Sequence, residues 1–125
     1  TCGTLYFSVQ NRLTRYPFPE FRLPDGAGKR FLDVGCNWGR WTITAAKNNY
    51  KAVGIDPSLD ACLAGKRIAK QLGADTVFVV ADARFLPFAD DAFDISFSYS
   101  VLQHLKKANA KTSLDEMARV TKKGG

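Results

Sequence analysis

One segment constrains the fold of this 125-residue chain more than any other. Residues 31–34 form a short apolar run that ends in the glycine- and asparagine-containing turn at 35–39, after which a helical pattern begins. Such a turn brings backbone amides close to a ligand at the positive end of a helix. The next apolar strand ends on Asp56. Its distance from Asp33 along the chain is close to the roughly 20 positions expected for an acid that binds a ribose. Two carboxylates around one glycine turn suggest an adenosine-type ligand.

Strands and helices alternate through the rest of the chain. Ser58 is the predicted N-cap of the second helix, Gly73 is its predicted stop, and Leu63 and Ile68 are its predicted inward residues. The unbroken apolar run at 76–80 predicts a strand covered on both faces. The predicted strands span about 30–34, 51–55, 76–80 and 93–98, and the predicted helices about 38–48, 58–72 and 109–120.

This alternation predicts an α/β fold. Strands separated by helices imply right-handed crossovers and a doubly wound, Rossmann-like parallel sheet with helices on both faces. In such a sheet the ligand lies beyond the carboxyl ends of the strands. We expect the domain to cover 30–125, preceded by an N-terminal extension or cap segment at 1–29 that holds three prolines.

Composition excludes several classes of protein. With 46% hydrophobic and 24% charged residues the chain is typical of globular proteins, and it has no apolar stretch near the roughly 20 residues of a membrane span. A cytoplasmic location is expected. Three separated cysteines and one histidine support neither a metal site nor a disulfide framework. The net charge of +6 is spread over short basic pairs without aromatic residues between them, which favours a solvated surface over specific nucleic-acid binding.

The two ends of the sequence predict a fragment. The chain begins at Thr1, and the run after the last helix, ending at Gly125, has the pattern of a turn that leads into another strand. The sheet is therefore expected to be truncated after the fourth strand, which leaves an unpaired apolar edge. Such an edge invites pairing with another chain, so a homodimer is one expectation.

Five motifs in order resemble those of the class I S-adenosylmethionine-dependent methyltransferases, in particular their small-molecule branch that includes quinone-biosynthesis enzymes. The resemblance covers about residues 29–125, the N-terminal part of that domain. The motifs are the loop at 33–39, Gly-Ile-Asp-Pro-Ser at 54–58, Ala-Asp-Ala at 81–83, the segment at 86–94 and Ser-Val-Leu-Gln-His-Leu at 100–105. The resemblance implies methyl transfer from S-adenosylmethionine to a small-molecule acceptor by in-line displacement.

The resemblance also assigns a role to individual residues. Asp33 would pair with the cofactor ammonium, Asp56 would accept from the ribose hydroxyls, and Asp82 would accept from the adenine amine. The other implied cofactor-binding residues are Gly35, Asn37, Gly39, Pro57, Ala83 and Ser98. The family usually has glycine where this chain has Asn37, but asparagine tolerates a positive φ. The family also covers its site with an N-terminal segment, so the resemblance suggests Tyr16 and Phe18 as parts of a lid.

Alternatives remain open at this point. Asp33 has the position of a helix N-cap, Asp82 that of a turn residue, and His104 is either a general base or a structural hydrogen-bond anchor. A nicotinamide or flavin dinucleotide domain uses the same strand, turn and strand-end acid, although Asn37 and Arg40 depart from its glycine fingerprint. A partner subunit of the same fold that does not catalyse is the third alternative.

Overall fold

A computed structural model describes residues 18–20 and 22–125 and shows one parallel sheet with helices on both faces. The strands are β1 (Arg30–Val34), β2 (Lys51–Asp56), β3 (Thr76–Val80) and β4 (Ile95–Ser98), and the helices are α1 (Arg40–Lys47), α2 (Leu59–Gln71) and α3 (Lys107–Val120). A single 3-10 turn at Leu102–His104, which the sequence did not predict, precedes α3. The predicted α/β class and doubly wound sheet are confirmed.

The strand order β3-β2-β1-β4 places the reversal of winding between β1 and β4. On one face of the sheet, Phe31 packs with Ala45 of α1 and Ala52. On the other face, Leu32 and Val34 pack with Val120 at the end of α3. Because ligands of such sheets bind beside this reversal, the site is expected where β1 and β4 end.

Local signals fix the ends of the helices as predicted. The Ser58 hydroxyl accepts a hydrogen bond from the Ala61 amide at 3.2 Å, which is the geometry of an N-cap at the start of α2. Gly73 follows that helix with a φ of 65°, a conformation in which glycine carries no steric cost.

Two predictions about burial are wrong. Leu63 is 44% exposed, because it lies roughly 140° around the helix from Ile68, so the two side chains do not face the sheet together. The strand β3 is not covered on both faces, since its residues Val77 and Val80 are 55% and 48% exposed. It also lies at an edge of the sheet. An apolar run therefore identified the strand correctly but not its position in the sheet.

Within the described ranges, no helix has both the length and the apolar composition needed to cross a membrane.

Candidate functional site

A cleft of about 240 Å³ lies at the carboxyl edge of the sheet. Four of the predicted cofactor-binding residues line it: Gly35, Pro57, Asp82 and Ala83. The other lining residues are Ile55, Ala81, Arg84, Val101, Leu105 and Asn109. The cleft thus joins the loops that follow β1, β2 and β3 to the segment after β4, which is where the sequence predicted a ligand.

The turn after β1 has the backbone that the sequence predicted. Gly35, Asn37 and Gly39 have φ values of 76°, 51° and 85°, so the asparagine does adopt the left-handed conformation. The amides of Gly35 and Cys36 both donate to the Ile55 carbonyl at 2.8 Å. These two amides hold the turn against β2, so they stabilise the wall of the cleft and are not donors to a ligand.

Asp56 is fixed by the two segments that it joins. One oxygen, Oδ2, accepts from the Asn37 amide at 3.0 Å, and the other, Oδ1, accepts from the Ser58 amide at 2.9 Å. An ionised carboxylate has about four acceptor sites, so each oxygen retains capacity for a further donor. This half-buried carboxylate is thereby oriented and can still accept two hydroxyl groups.

Asp33 lies beneath the turn and is only 2% exposed. Its Oδ2 accepts from the Thr42 hydroxyl at 2.7 Å. Burial raises the pKa of Asp33 from 3.8 to about 7, and the Thr42 hydrogen bond opposes that rise. Sequence reasoning missed Thr42, because a threonine inside a helix gives no sign of the acid that it faces.

Gly54 makes room for this buried pair. A Cβ atom at that position would lie 2.6 Å from the Thr42 hydroxyl oxygen and 2.9 Å from the Cys36 sulfur. The motif glycine in β2 is therefore explained by contact with α1 and with the turn, not by contact with the cleft.

Asp82 forms a close ion pair with Arg84. Its Oδ1 accepts from the Arg84 amide at 2.8 Å and from Nε at 3.1 Å, and its Oδ2 accepts from Nη2 at 2.7 Å and from Nε at 3.2 Å. The arginine donors lower the pKa of Asp82 below its ordinary range. The pair is a feature of the cleft that sequence reasoning missed, although an arginine two residues after the acid was the available signal.

The loop that carries this pair is fastened to α3. Arg119 donates to the carbonyl of Leu86 at 3.1 Å and to that of Phe88 at 2.9 Å. The Leu86 amide donates to Glu116 at 2.8 Å, and Arg119 in turn pairs with Glu116 at 2.7 Å. Because Leu86 and Phe88 are both held by side chains of α3, the position of the cleft wall depends on that helix.

The remaining predicted residues are not among those that line the cleft. Ser98 ends β4, and its hydroxyl is buried without a hydrogen-bond partner among the residues that the structure describes. His104 is exposed in the 3-10 turn, and its side chain lies 3.4 Å from that of Gln103. Phe18, one of two residues predicted to form a lid, packs edge-on against Trp38 at 5.9 Å between ring centroids. The other, Tyr16, lies outside the described residues.

This geometry agrees with the protein family that the sequence matches. A family described as methyltransferase domain matches residues 31–125 of the chain. The chain belongs to this methyltransferase-domain family. The resemblance noted from the five motifs is thereby confirmed, and the family match favours a methyltransferase domain over a dinucleotide-binding one.

Two sequence relatives of the methyltransferase domain are named for different substrates, and a solved structure shares its fold. Demethylmenaquinone methyltransferase of Renibacterium salmoninarum is 38% identical over 102 residues, which cover 78% of this chain and 39% of that protein. Ajmaline N-methyltransferase of Rauvolfia serpentina is 33% identical over 113 residues, with 86% and 38% covered. The crystal structure of the PH0226 protein of Pyrococcus horikoshii superposes with a TM-score of 0.75 at 28% identity, covering 78% of this chain and 43% of that one.

The chain spans about two-fifths of the length of these relatives. The strand ends and the cleft described above lie in the matched part. The other three-fifths of each relative lies outside the alignment.

Proposed function

We propose that this methyltransferase domain binds S-adenosylmethionine and serves methyl transfer to a small-molecule acceptor. The observation that carries the proposal is the state of Asp56. Its two oxygens are each fixed by one backbone amide and each retain acceptor capacity, at the end of the strand next to the glycine turn. A carboxylate held in this way matches the paired hydroxyl groups of a ribose, whereas an amide side chain would offer one acceptor and one donor group.

The neighbouring residues fit the rest of such a cofactor. A Cβ at Gly35 would lie 2.1 Å from a methyl carbon of Val101, so this cleft wall has space for hydrogen only. The unpartnered Ser98 hydroxyl is a buried polar group that a ligand can satisfy. We assign Asp33 to the ammonium group, Asp56 to the ribose, and Asp82 with Ala83 to the adenine. Gly35, Asn37 and Gly39 shape the turn, and Pro57 and Ser98 complete the proposed cofactor-binding set.

Bound S-adenosylmethionine supplies an electrophilic methyl group for an in-line displacement by the acceptor. The task of the chain is then to hold the reacting groups in line and to exclude water. The fixed turn and the loop anchored by Arg119 perform the positioning. Where the acceptor must lose a proton, His104 in the turn after β4 is the proposed general base. The proposed location is cytoplasmic, and a homodimer is a further part of the proposal.

The proposal is tested by replacing Asp56. The variant Asp56→Ala is expected to bind S-adenosylhomocysteine roughly 10- to 100-fold more weakly than the wild type, by loss of charge-assisted hydrogen bonds worth about 1.5–3 kcal/mol. Isothermal titration calorimetry measures the change, and thermal melting confirms that the variant is folded. Asp60→Ala is the matched control, since Asp60 is an exposed acid in the first turn of α2.

Equal binding by Asp56→Ala and the wild type would contradict the ribose assignment. Tight binding of NAD that ignores the substitution would instead support a dinucleotide domain. Binding of S-adenosylmethionine without methyl turnover on any acceptor would favour the non-catalytic partner subunit.

A further inference from the structure

Most of the acceptor capacity of the Asp82 carboxylate is taken by one neighbour. Three N–H groups of Arg84 donate to it at 2.7–3.2 Å, and the Nε–H is shared between the two oxygens. A carboxylate has about four acceptor sites, so about one site remains for another donor while the guanidinium is in place, and that site lies beside a positive charge. The contrast with Asp56 is direct, because that acid accepts one backbone amide on each oxygen and keeps the rest of its capacity.

Both members of the pair line the cleft, so the pairing affects what the cleft can accept. The side chains of Arg84 and Asp82 are 39% and 43% exposed. An ion pair this exposed is screened by water and salt and opens at small cost. The guanidinium also has a second contact, since it lies 5.4 Å over the ring of Phe85, which is itself 69% exposed. The arginine therefore has one contact with the loop that does not involve the acid.

We propose that Arg84 competes with the purine for Asp82 and thereby sets how strictly the site distinguishes a 6-amino purine from a 6-oxo purine. The inference rests on the proposed function, in which Asp82 accepts from the adenine amine. The amine donor gains the acceptor sites that the guanidinium occupies only when Arg84 withdraws. A 6-oxo group is an acceptor, which the carboxylate repels and the guanidinium can bind. Arg84 thus weakens binding of the adenine ligand slightly and allows the site to bind a ligand with a 6-oxo base.

The test compares two uncharged-base ligands, S-adenosylhomocysteine and S-inosylhomocysteine, in the wild type and in Arg84→Met. We expect the variant to bind the adenine ligand about two- to five-fold more tightly, the range that an exposed ion pair supports. We expect its preference for adenine over hypoxanthine to rise at least about five-fold, because the charged donor to the 6-oxo group is lost. Titration calorimetry gives both ratios.

The chain offers a matched control. Arg22 pairs with Glu20 two residues earlier at 3.4 Å, both side chains being highly exposed, so Arg22→Met removes the same charge from a pair of the same spacing. It should change neither ratio. Arg84→Lys should lie between the wild type and Arg84→Met, because an ammonium is a point charge that does not occupy both oxygens in a fork.

Salt provides a second measurement. Raising NaCl from about 20 to about 300 mM screens an exposed pair, so wild-type affinity for S-adenosylhomocysteine should increase while that of Arg84→Met stays level. If the folded variant binds the adenine ligand equally or more weakly, Arg84 does not compete and the inference is wrong while the proposed function stands. If the folded wild type does not bind S-adenosylhomocysteine at all, the proposed function and this inference both fail.

Discussion

At pH 8, Asp33→Asn is expected to stabilise the fold by up to about 4 kcal/mol, although it removes an acid from the proposed site. Burial raises the pKa of Asp33 from 3.8 to about 7. Each pKa unit corresponds to about 1.4 kcal/mol, so the charged carboxylate costs the folded state up to about 4 kcal/mol. An asparagine carries no charge and still offers the Thr42 hydroxyl an acceptor.

The sign of the pH dependence follows from the two protonation states of Asp33. Below pH 3.8 it is protonated in the folded and the unfolded chain, and its stabilising contribution is fully present. Between about pH 4 and pH 7 the folded chain keeps a proton that the unfolded chain has released, so stability falls as the pH rises. Above about pH 7 the loss is complete. The gain from Asp33→Asn should therefore be near zero at pH 4 and largest at pH 8.

Denaturant unfolding of the wild type and the variant at several pH values measures this difference. Thr42→Val serves as the companion variant, because removing the hydroxyl that opposes the rise should move the pKa of Asp33 higher still. A difference between Asp33→Asn and the wild type that is the same at every pH would show that Asp33 does not titrate in this range.

The same linkage connects stability to the proposed function. An ammonium group of the ligand favours the charged form of Asp33 and lowers its pKa. Wild-type affinity for S-adenosylhomocysteine should then rise as the pH approaches about 7, because below that pH the ligand must displace a proton, and it should level off above it. Asp33→Asn should bind more weakly and without this pH dependence. In this proposal Asp33 lowers the stability of the fold and increases the affinity for the ligand.

Short-range patterns predicted most of the fold. The ends of β1 and β3 are as expected, because an apolar run of β-branched and aromatic residues is a local property. Ser58 and Gly73 marked the ends of α2 through their own hydrogen bond and backbone conformation. The left-handed conformation of Asn37 followed from its side chain in the same way.

Apart from the local Asp82–Arg84 pair, the features that were missed depend on contacts between different elements of the fold. The edge position of β3 is decided by strand order, which no residue of β3 encodes. The Thr42–Asp33 hydrogen bond joins a helix to a strand, and Arg119 reaches back about 30 positions to the loop at 86–90. The motif identified the acids of the site, but the partners that set their charge and their free acceptor capacity came only from three-dimensional structure.

Gly35→Ala is expected to have the second large effect, a destabilisation of roughly 2–5 kcal/mol. Two costs add at this position. A residue with a Cβ at a φ of 76° is strained by about 1–2 kcal/mol. The new Cβ would also lie 2.1 Å from Val101 Cγ2, and overpacking of this kind costs about 1–3 kcal/mol. Thermal and denaturant unfolding measure the sum.

Gly28→Ala separates the two costs. Gly28 has nearly the same φ, 79°, but a Cβ there meets nothing within 4 Å, so this variant should show the backbone cost alone. The difference between the two variants is then the price of moving Val101, which lines the cleft. That displacement should also weaken S-adenosylhomocysteine binding in Gly35→Ala and leave it unchanged in Gly28→Ala. Equal destabilisation of the two variants would mean that Val101 moves away from the new Cβ at no cost. The close contact between the glycine turn and the segment after β4 would then have no part in shaping the site.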